Sequence, residues 1–217
     1  MQILKLWAAA AAMAAVAGAA QATPVFQGRL ADGTASATCT ASGATKCTYF
    51  FDATLNITIL NNWNIGRGHW SPGAVAGSAQ ALAASAGLAA SGLSGWVLPT
   101  GDGSAAAAGA DNQYLSIWNS VGNSYAGLTN QFDGVQSTLY MSSSELTQFP
   151  GPGYPWVFDT SNNGYQDVDF SLGAWQALAI LPGDVAAPVP EPQTLLLALL
   201  ALGAALMARP RCWPAAS

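Results

Sequence analysis

Charge is what this chain has least of: 8% of its 217 residues are charged, there is one histidine, His69, and there are three cysteines. Between Thr23 and Pro190 the only bases are Arg29, Lys46 and Arg67, against ten acids, a net charge of −7. Capture of nucleic acid or of an anionic lipid surface needs clustered Lys and Arg, so both are argued against as partners, and a sulfated polyanion is equally disfavoured. A single histidine leaves zinc without a ligand set. Any Ser-His-Asp or Cys-His arrangement would have to use His69, which sits in the turn Gly66–Trp70 and reads as a surface or hydrogen-bonded loop residue. Acids at Asp133, Glu145, Asp159, Asp167 and Asp169 carry no spacing motif for glycoside hydrolysis, so the expectation is a protein that is not an enzyme.

The two ends are apolar where the middle is neutral and polar. Lys5, the run Leu6–Ala20 and the small-residue site Ala20-Gln21-Ala22 have the order of a secretory signal peptide cleaved after Ala22. At the other end stand Val189, Pro190, Glu191 and Pro192, then Thr194–Ala208 without a charge, then Arg209 and Arg211. As a helix that run reaches about 22 Å, short of a roughly 30 Å hydrocarbon core, so it is read as a marginal transmembrane helix with the basic tail 209–217 on the cytoplasmic side. This order resembles the PEP-CTERM sorting signal of bacterial envelope and extracellular proteins. The resemblance implies transient insertion in the inner membrane and processing by a membrane transpeptidase of the exosortase type, with release to the cell surface or beyond.

Export fixes the reading of the cysteines. Cys39 and Cys47 flank a Ser/Gly/Ala/Thr loop, and an oxidising space predicts a local disulfide between them. Residues 23–48 have no clear period and are expected to be a loosely ordered leader pinned by that bond.

From Tyr49 the pattern is more regular. Tyr49–Asp52 and Leu55–Leu60 read as short strands. Ser71-Pro72 starts a helix that the spacing of Val75, Ala79, Leu82 and Ala86 carries to about Ser91, and Gly95–Thr100 reads as a strand. Gly101–Ala110 is low in complexity and reads as a loop. Tyr114, Ile117, Trp118 and Val121 form one stripe of a second helix. Val135–Met141, Tyr154–Asp159, Tyr165–Phe170 and Ala174–Leu181 read as strands, with Ser161-Asn162-Asn163-Gly164 as a hairpin turn. The expected fold class is α+β, two helices beside short antiparallel strands.

The order of Leu55-Asn56-Ile57-Thr58, Trp70, Gly95-Trp96-Val97-Leu98-Pro99-Thr100, Tyr140-Met141-Ser142-Ser143-Ser144-Glu145, Trp156-Val157-Phe158-Asp159 and Ala174-Trp175 leading to Pro182-Gly183-Asp184-Val185 resembles the Lcl C-terminal-domain family. The resemblance spans 49–185, with 186–193 as a linker, and implies a C-type-lectin-like fold. Val97 and Met141 stand where that family usually has Arg and Trp. The Glu-Pro-Asn, Gln-Pro-Asp and Trp-Asn-Asp elements of calcium-dependent sugar capture are absent from 23–188.

Two functions from different classes follow. One is a lectin-like domain binding carbohydrate or exopolysaccharide through exposed tryptophans, with Trp63, Trp70 and Trp156 as candidates. The other is a structural or adhesive envelope protein recognising another protein. No cofactor is expected. A weaker calcium reading rests on Asp159, Ser161, Asn163 and Asp167, which echo the alternating oxygens of an EF-hand loop, but Phe170 stands where the bidentate Glu belongs.

Overall fold

The computed structural model describes residues 26–103, 108–146, 153–170 and 173–186. In chain order these form β1 (Phe26–Arg29), β2 (Tyr49–Asp52), β3 (Ile57–Leu60), β4 (Arg67–His69), α1 (Ala79–Ser91), α2 (Gln113–Ser120), α3 (Tyr125–Gln131), β5 (Leu139–Leu146), β6 (Tyr154–Asp159), β7 (Tyr165–Val168), β8 (Ala174–Gln176) and β9 (Ile180–Pro182). The strands make two sheets, β1-β2-β3-β9 and β4-β8-β5-β6-β7. All pairings are antiparallel except β5 with β8.

Alternation along the strands sends side chains to two separate cores. Phe50, Ile57, Ile59, Tyr140, Phe158, Leu178 and Ile180 join Tyr114, Ile117 and Trp118 of α2 and Leu128 of α3. Their neighbours Tyr49, Leu60, Met141, Val157, Ala177, Ala179 and Leu181 join Ala79 and Ala83 of α1. A period of two on strands buried on both faces produces this division. The β layer therefore has an aromatic face closed by α2 and α3, and an alanine-rich face closed by α1.

The fold class departs from expectation. The described chain is mostly β, nine strands in two sheets with three short helices, and the α+β, C-type-lectin-like assignment is corrected on that ground. Three local causes account for the difference. The stretch after Ser71 turns instead of coiling, with Gly77 at φ +83°, and α1 is capped by Ser78, whose hydroxyl accepts the Ala81 N–H at 3.1 Å. The run Ala174–Leu181 is two strands in two sheets, joined through Ala177-Leu178-Ala179, so one apolar segment serves both. The supposed leader supplies an edge strand, β1. Conversely, Gly95–Thr100 makes only a bridge from Val97 to Ile180, and α3 lacks the periodic stripe that marked α2.

Among the described residues no helix is long and apolar enough to cross a membrane. The run Thr194–Ala208 and the sorting residues Val189, Pro190, Glu191, Pro192, Arg209 and Arg211 lie outside those residues, as does 1–22, and the membrane helix expected there has no structural support.

The first strand is held by the packing of a disulfide on it and by an ion pair. Cys39 and Cys47 are joined in a disulfide, Cα to Cα 5.0 Å, lying on Gly28 so closely that a Cβ there would fall 2.5 Å from Cys39 Sγ. Only glycine fits under the bridge. Arg29, 5% exposed, donates from Nε to Asp184 Oδ1 at 3.0 Å and from Nη2 to Oδ2 at 2.5 Å, clamping β1 to the chain just after β9. Burial pushes the Asp184 carboxyl up, but the hydrogen bonds from Arg29 and the Ala186 N–H, with the guanidinium charge, outweigh it and hold its pKa below the ordinary value.

Candidate functional site

The three tryptophans expected to meet a ligand are not brought together. Trp63 is fully buried, its ring centroid 4.9 Å from Phe132 and 5.4 Å from Tyr140, and it fills the aromatic core. Trp156 is partly buried, and a Cβ on Gly103 would lie 2.7 Å from its Cζ3, so the glycine backbone rests on the ring. Trp70 lies on the other face, packed against the alanine-rich core, where it lines a hollow of about 280 Å³ with Ser71, Gln80, Trp96, Val97 and Ser143.

The oxygen-bearing loop at 159–167 is built as a hairpin turn. Ser161 donates to Asp159 Oδ1 from its N–H at 2.8 Å and from its hydroxyl at 2.6 Å, while Asn163 and Gly164 take φ of +53° and +73°. These are the bonds and angles by which Asp and Asn-Gly close a tight turn. Asp159 and Asp167 do share a hollow of about 270 Å³ with Asn162, Tyr165 and Asp169. Asp169 in turn accepts the Trp175 Nε1–H at 2.7 Å and the Gly173 N–H at 2.8 Å. Among the described residues no three His, Cys, Asp or Glu side chains are grouped to hold a metal ion. Asp133, another of the acids noted in the sequence, pairs with Lys46.

A larger hollow, about 590 Å³, lies where sequence reasoning expected a loose leader. One wall is β1 and the disulfide loop, with Gln27, Ser36 and Thr40, and the other is the end of α3, with Asn130 and Gln131. Phe26 and Phe50 are at its apolar end. Both rings stand edge-on to Phe132, at 5.4 Å each, and Phe132 leans on Trp63, so the aromatic core fixes this end from beneath. Its one charged lining residue, Arg29, is already committed to Asp184. What remains are amides and hydroxyls beside apolar rings. Gln27 Oε1 accepts from Arg29 Nη2 at 3.2 Å, Ser36 Oγ accepts the Cys39 N–H at 3.1 Å and Thr40 Oγ1 accepts the Gly43 N–H at 2.9 Å, which orients these groups and leaves their own hydrogens to donate. The amides of Asn130 and Gln131 can donate and accept. The volume is in the range of small-molecule sites.

The signal that could have located this hollow is Gly28, in the short strand-like run Phe26–Arg29 ahead of the two cysteines, because a strand glycine marks close approach of another backbone or bridge. Its far wall could not be read, since Asn130 and Gln131 belong to a helix with no apolar stripe.

Comparison with known proteins supplies no identity. No family model, no curated protein and no solved structure matches this chain.

Proposed function

We propose that this is an exported, non-enzymatic protein of the cell surface or extracellular matrix whose domain binds neutral carbohydrate in the hollow between β1, the disulfide loop and α3. The observation that carries the reading is the lining of that hollow: amides of Gln27, Asn130 and Gln131 with hydroxyls of Ser36 and Thr40, next to phenylalanine rings and without an uncommitted charge. Sugars present hydroxyls that both donate and accept along with apolar C–H faces, the complement of such a wall. The surplus of acids in 23–190 opposes a polyanionic ligand. Export rests on the two ends of the sequence, with the PEP-CTERM-like segment as the address and an exosortase-type enzyme as the processing partner.

The test is titration calorimetry of the processed protein against soluble mixed-linkage β-glucan, galactomannan, xylan and a uronic-acid polymer, with and without a calcium chelator. Saturable, chelator-insensitive binding to a neutral polymer, weakened about tenfold or more by Asn130→Ala with Gln131→Ala, is the expected result. Binding to none of them sinks the reading. The alternative then stands, a structural or adhesive envelope protein, which the burial of Trp63 and the covering of Trp156 favour. Export has its own check: the carboxy-terminal mass of the released chain, expected near Pro190, against an unprocessed 217-residue product.

A further inference from the structure

The hollow beside Trp70 lies on the opposite side of the β layer from the hollow beside the disulfide. Trp70, Trp96 and Leu98 belong to the alanine-rich core, while Phe26, Phe50 and Cys39 belong to the aromatic one. No charged residue lines the Trp70 hollow. Gln80 Oε1 accepts the Ser71 N–H at 3.3 Å, which orients the amide and leaves its NH₂ group for an acceptor from outside. Ser143 is exposed, and its N–H is spent on Pro99 O at 2.8 Å, so its hydroxyl is the group it offers. Trp70 is partly buried, Trp96 is 2% exposed and Val97 is 43% exposed, which gives an indole wall with an apolar rim. A tryptophan plane beside an amide and a hydroxyl, without a charge, suits one pyranose ring stacked by its C–H face.

We infer that the Trp70 hollow is a second carbohydrate subsite for a neutral hexose or pentose unit, and that two sites on opposite faces make the domain a bridge between two polysaccharide chains. This rests on the carbohydrate reading given above. Because the β layer separates the sites, one short oligosaccharide cannot occupy both, whereas a polymer network can. Two weak sites then hold the network far more firmly than either holds a fragment, by a factor on the order of 10² or more.

The experiment uses the processed chain with oligosaccharide fragments of whichever of β-glucan, galactomannan or xylan binds, read by calorimetric stoichiometry, and with the parent polymer, read by turbidity and viscosity. The wild-type protein is expected to take two equivalents of fragment and to precipitate polymer near equivalence. Val97→Arg changes only an exposed rim residue and is expected to leave one equivalent and abolish precipitation, as is Trp70→Ala. The Asn130→Ala, Gln131→Ala double variant is expected to leave the other equivalent. One equivalent in the wild type, or two retained in Val97→Arg, overturns the second subsite while leaving the first intact. Absence of binding to every polymer removes both.

Discussion

The two faces of the β layer are packed by different means. On the aromatic face the space is filled by volume: Tyr114 stacks on Phe158 at 5.0 Å and 5° between planes, Trp118 meets the same ring edge-on, and Trp63, Phe132 and Tyr140 complete the layer. On the alanine face the space is closed by approach. A Cβ at Gly87 of α1 would lie 2.0 Å from Trp96 Cγ, and one at Gly68 of β4 would lie 2.4 Å from Ala79 N. Large rings tolerate a helix at a distance, while small residues demand one in contact. The first face therefore responds to lost volume and the second to added volume.

Trp63→Ala should open the widest gap between them. It removes a fully buried ring that supports the floor of the larger hollow, and a loss of about 3–5 kcal/mol is expected in urea unfolding. A similar truncation on the other face, Leu82→Ala, should cost less because Leu82 is only partly buried. Replacing Cys39 and Cys47 by Ser tests the edge of the aromatic face. The bridge spans a sequence separation of 8, for which chain entropy gives about 2–3 kcal/mol, and glycan binding at the larger hollow should fall with it while binding at Trp70 persists.

Gly87→Ala sharpens the comparison by its sign. Helix propensity alone favours alanine by about 1 kcal/mol, yet the contact with Trp96 predicts a net loss of about 1–3 kcal/mol. A stabilised variant would show that α1 is not in close contact with the sheet.

The smallest effects are electrostatic. Asp184 has a folded pKa below its unfolded value near 3.9, so its stabilisation is complete above about pH 4 and disappears as pH falls through the lower folded value. Asp184→Asn should remove that acid-side component, less than about 1 kcal/mol because solvent screens the exposed carboxylate, seen as a flattened dependence of Tm on pH. At the alkaline end burial pushes the Tyr140 phenol up to about 12, with the Gln136 N–H bond to its oxygen opposing and Tyr125 adding slightly. Stability from the neutral phenol is complete below pH 10 and is lost as pH rises toward 12, and Tyr140→Phe should blunt that loss in tyrosinate absorbance and Tm alike.

Much of the framework was legible. Tyr49–Asp52 and Tyr154–Asp159 are strands at the expected residues, because β-branched and aromatic runs between turn residues have few other uses. The stripe Tyr114, Ile117 and Trp118 is buried on α2, and the Asn163-Gly164 turn joins β6 to β7. The site was much less legible. Trp63 and Trp70 lie seven positions apart with a similar polar neighbourhood, and nothing local says that one is enclosed by Phe132 and the other lines a surface hollow.

By itself the sequence determined what depends on local chemistry: the two apolar ends around a charge-poor middle, the surplus of acids over bases in that middle, the periods of its longer elements and the turn at Asn163-Gly164. Tertiary structure alone decided what depends on distant chain segments meeting. It split Ala174–Leu181 between two sheets, since a strand's partners are chosen by the sheets that bury both its faces. It turned the residues around Gly28 from an apparent leader into the wall of a hollow of about 590 Å³, because the Cys39–Cys47 bridge packs on Gly28 and an ion pair to Asp184 holds Arg29.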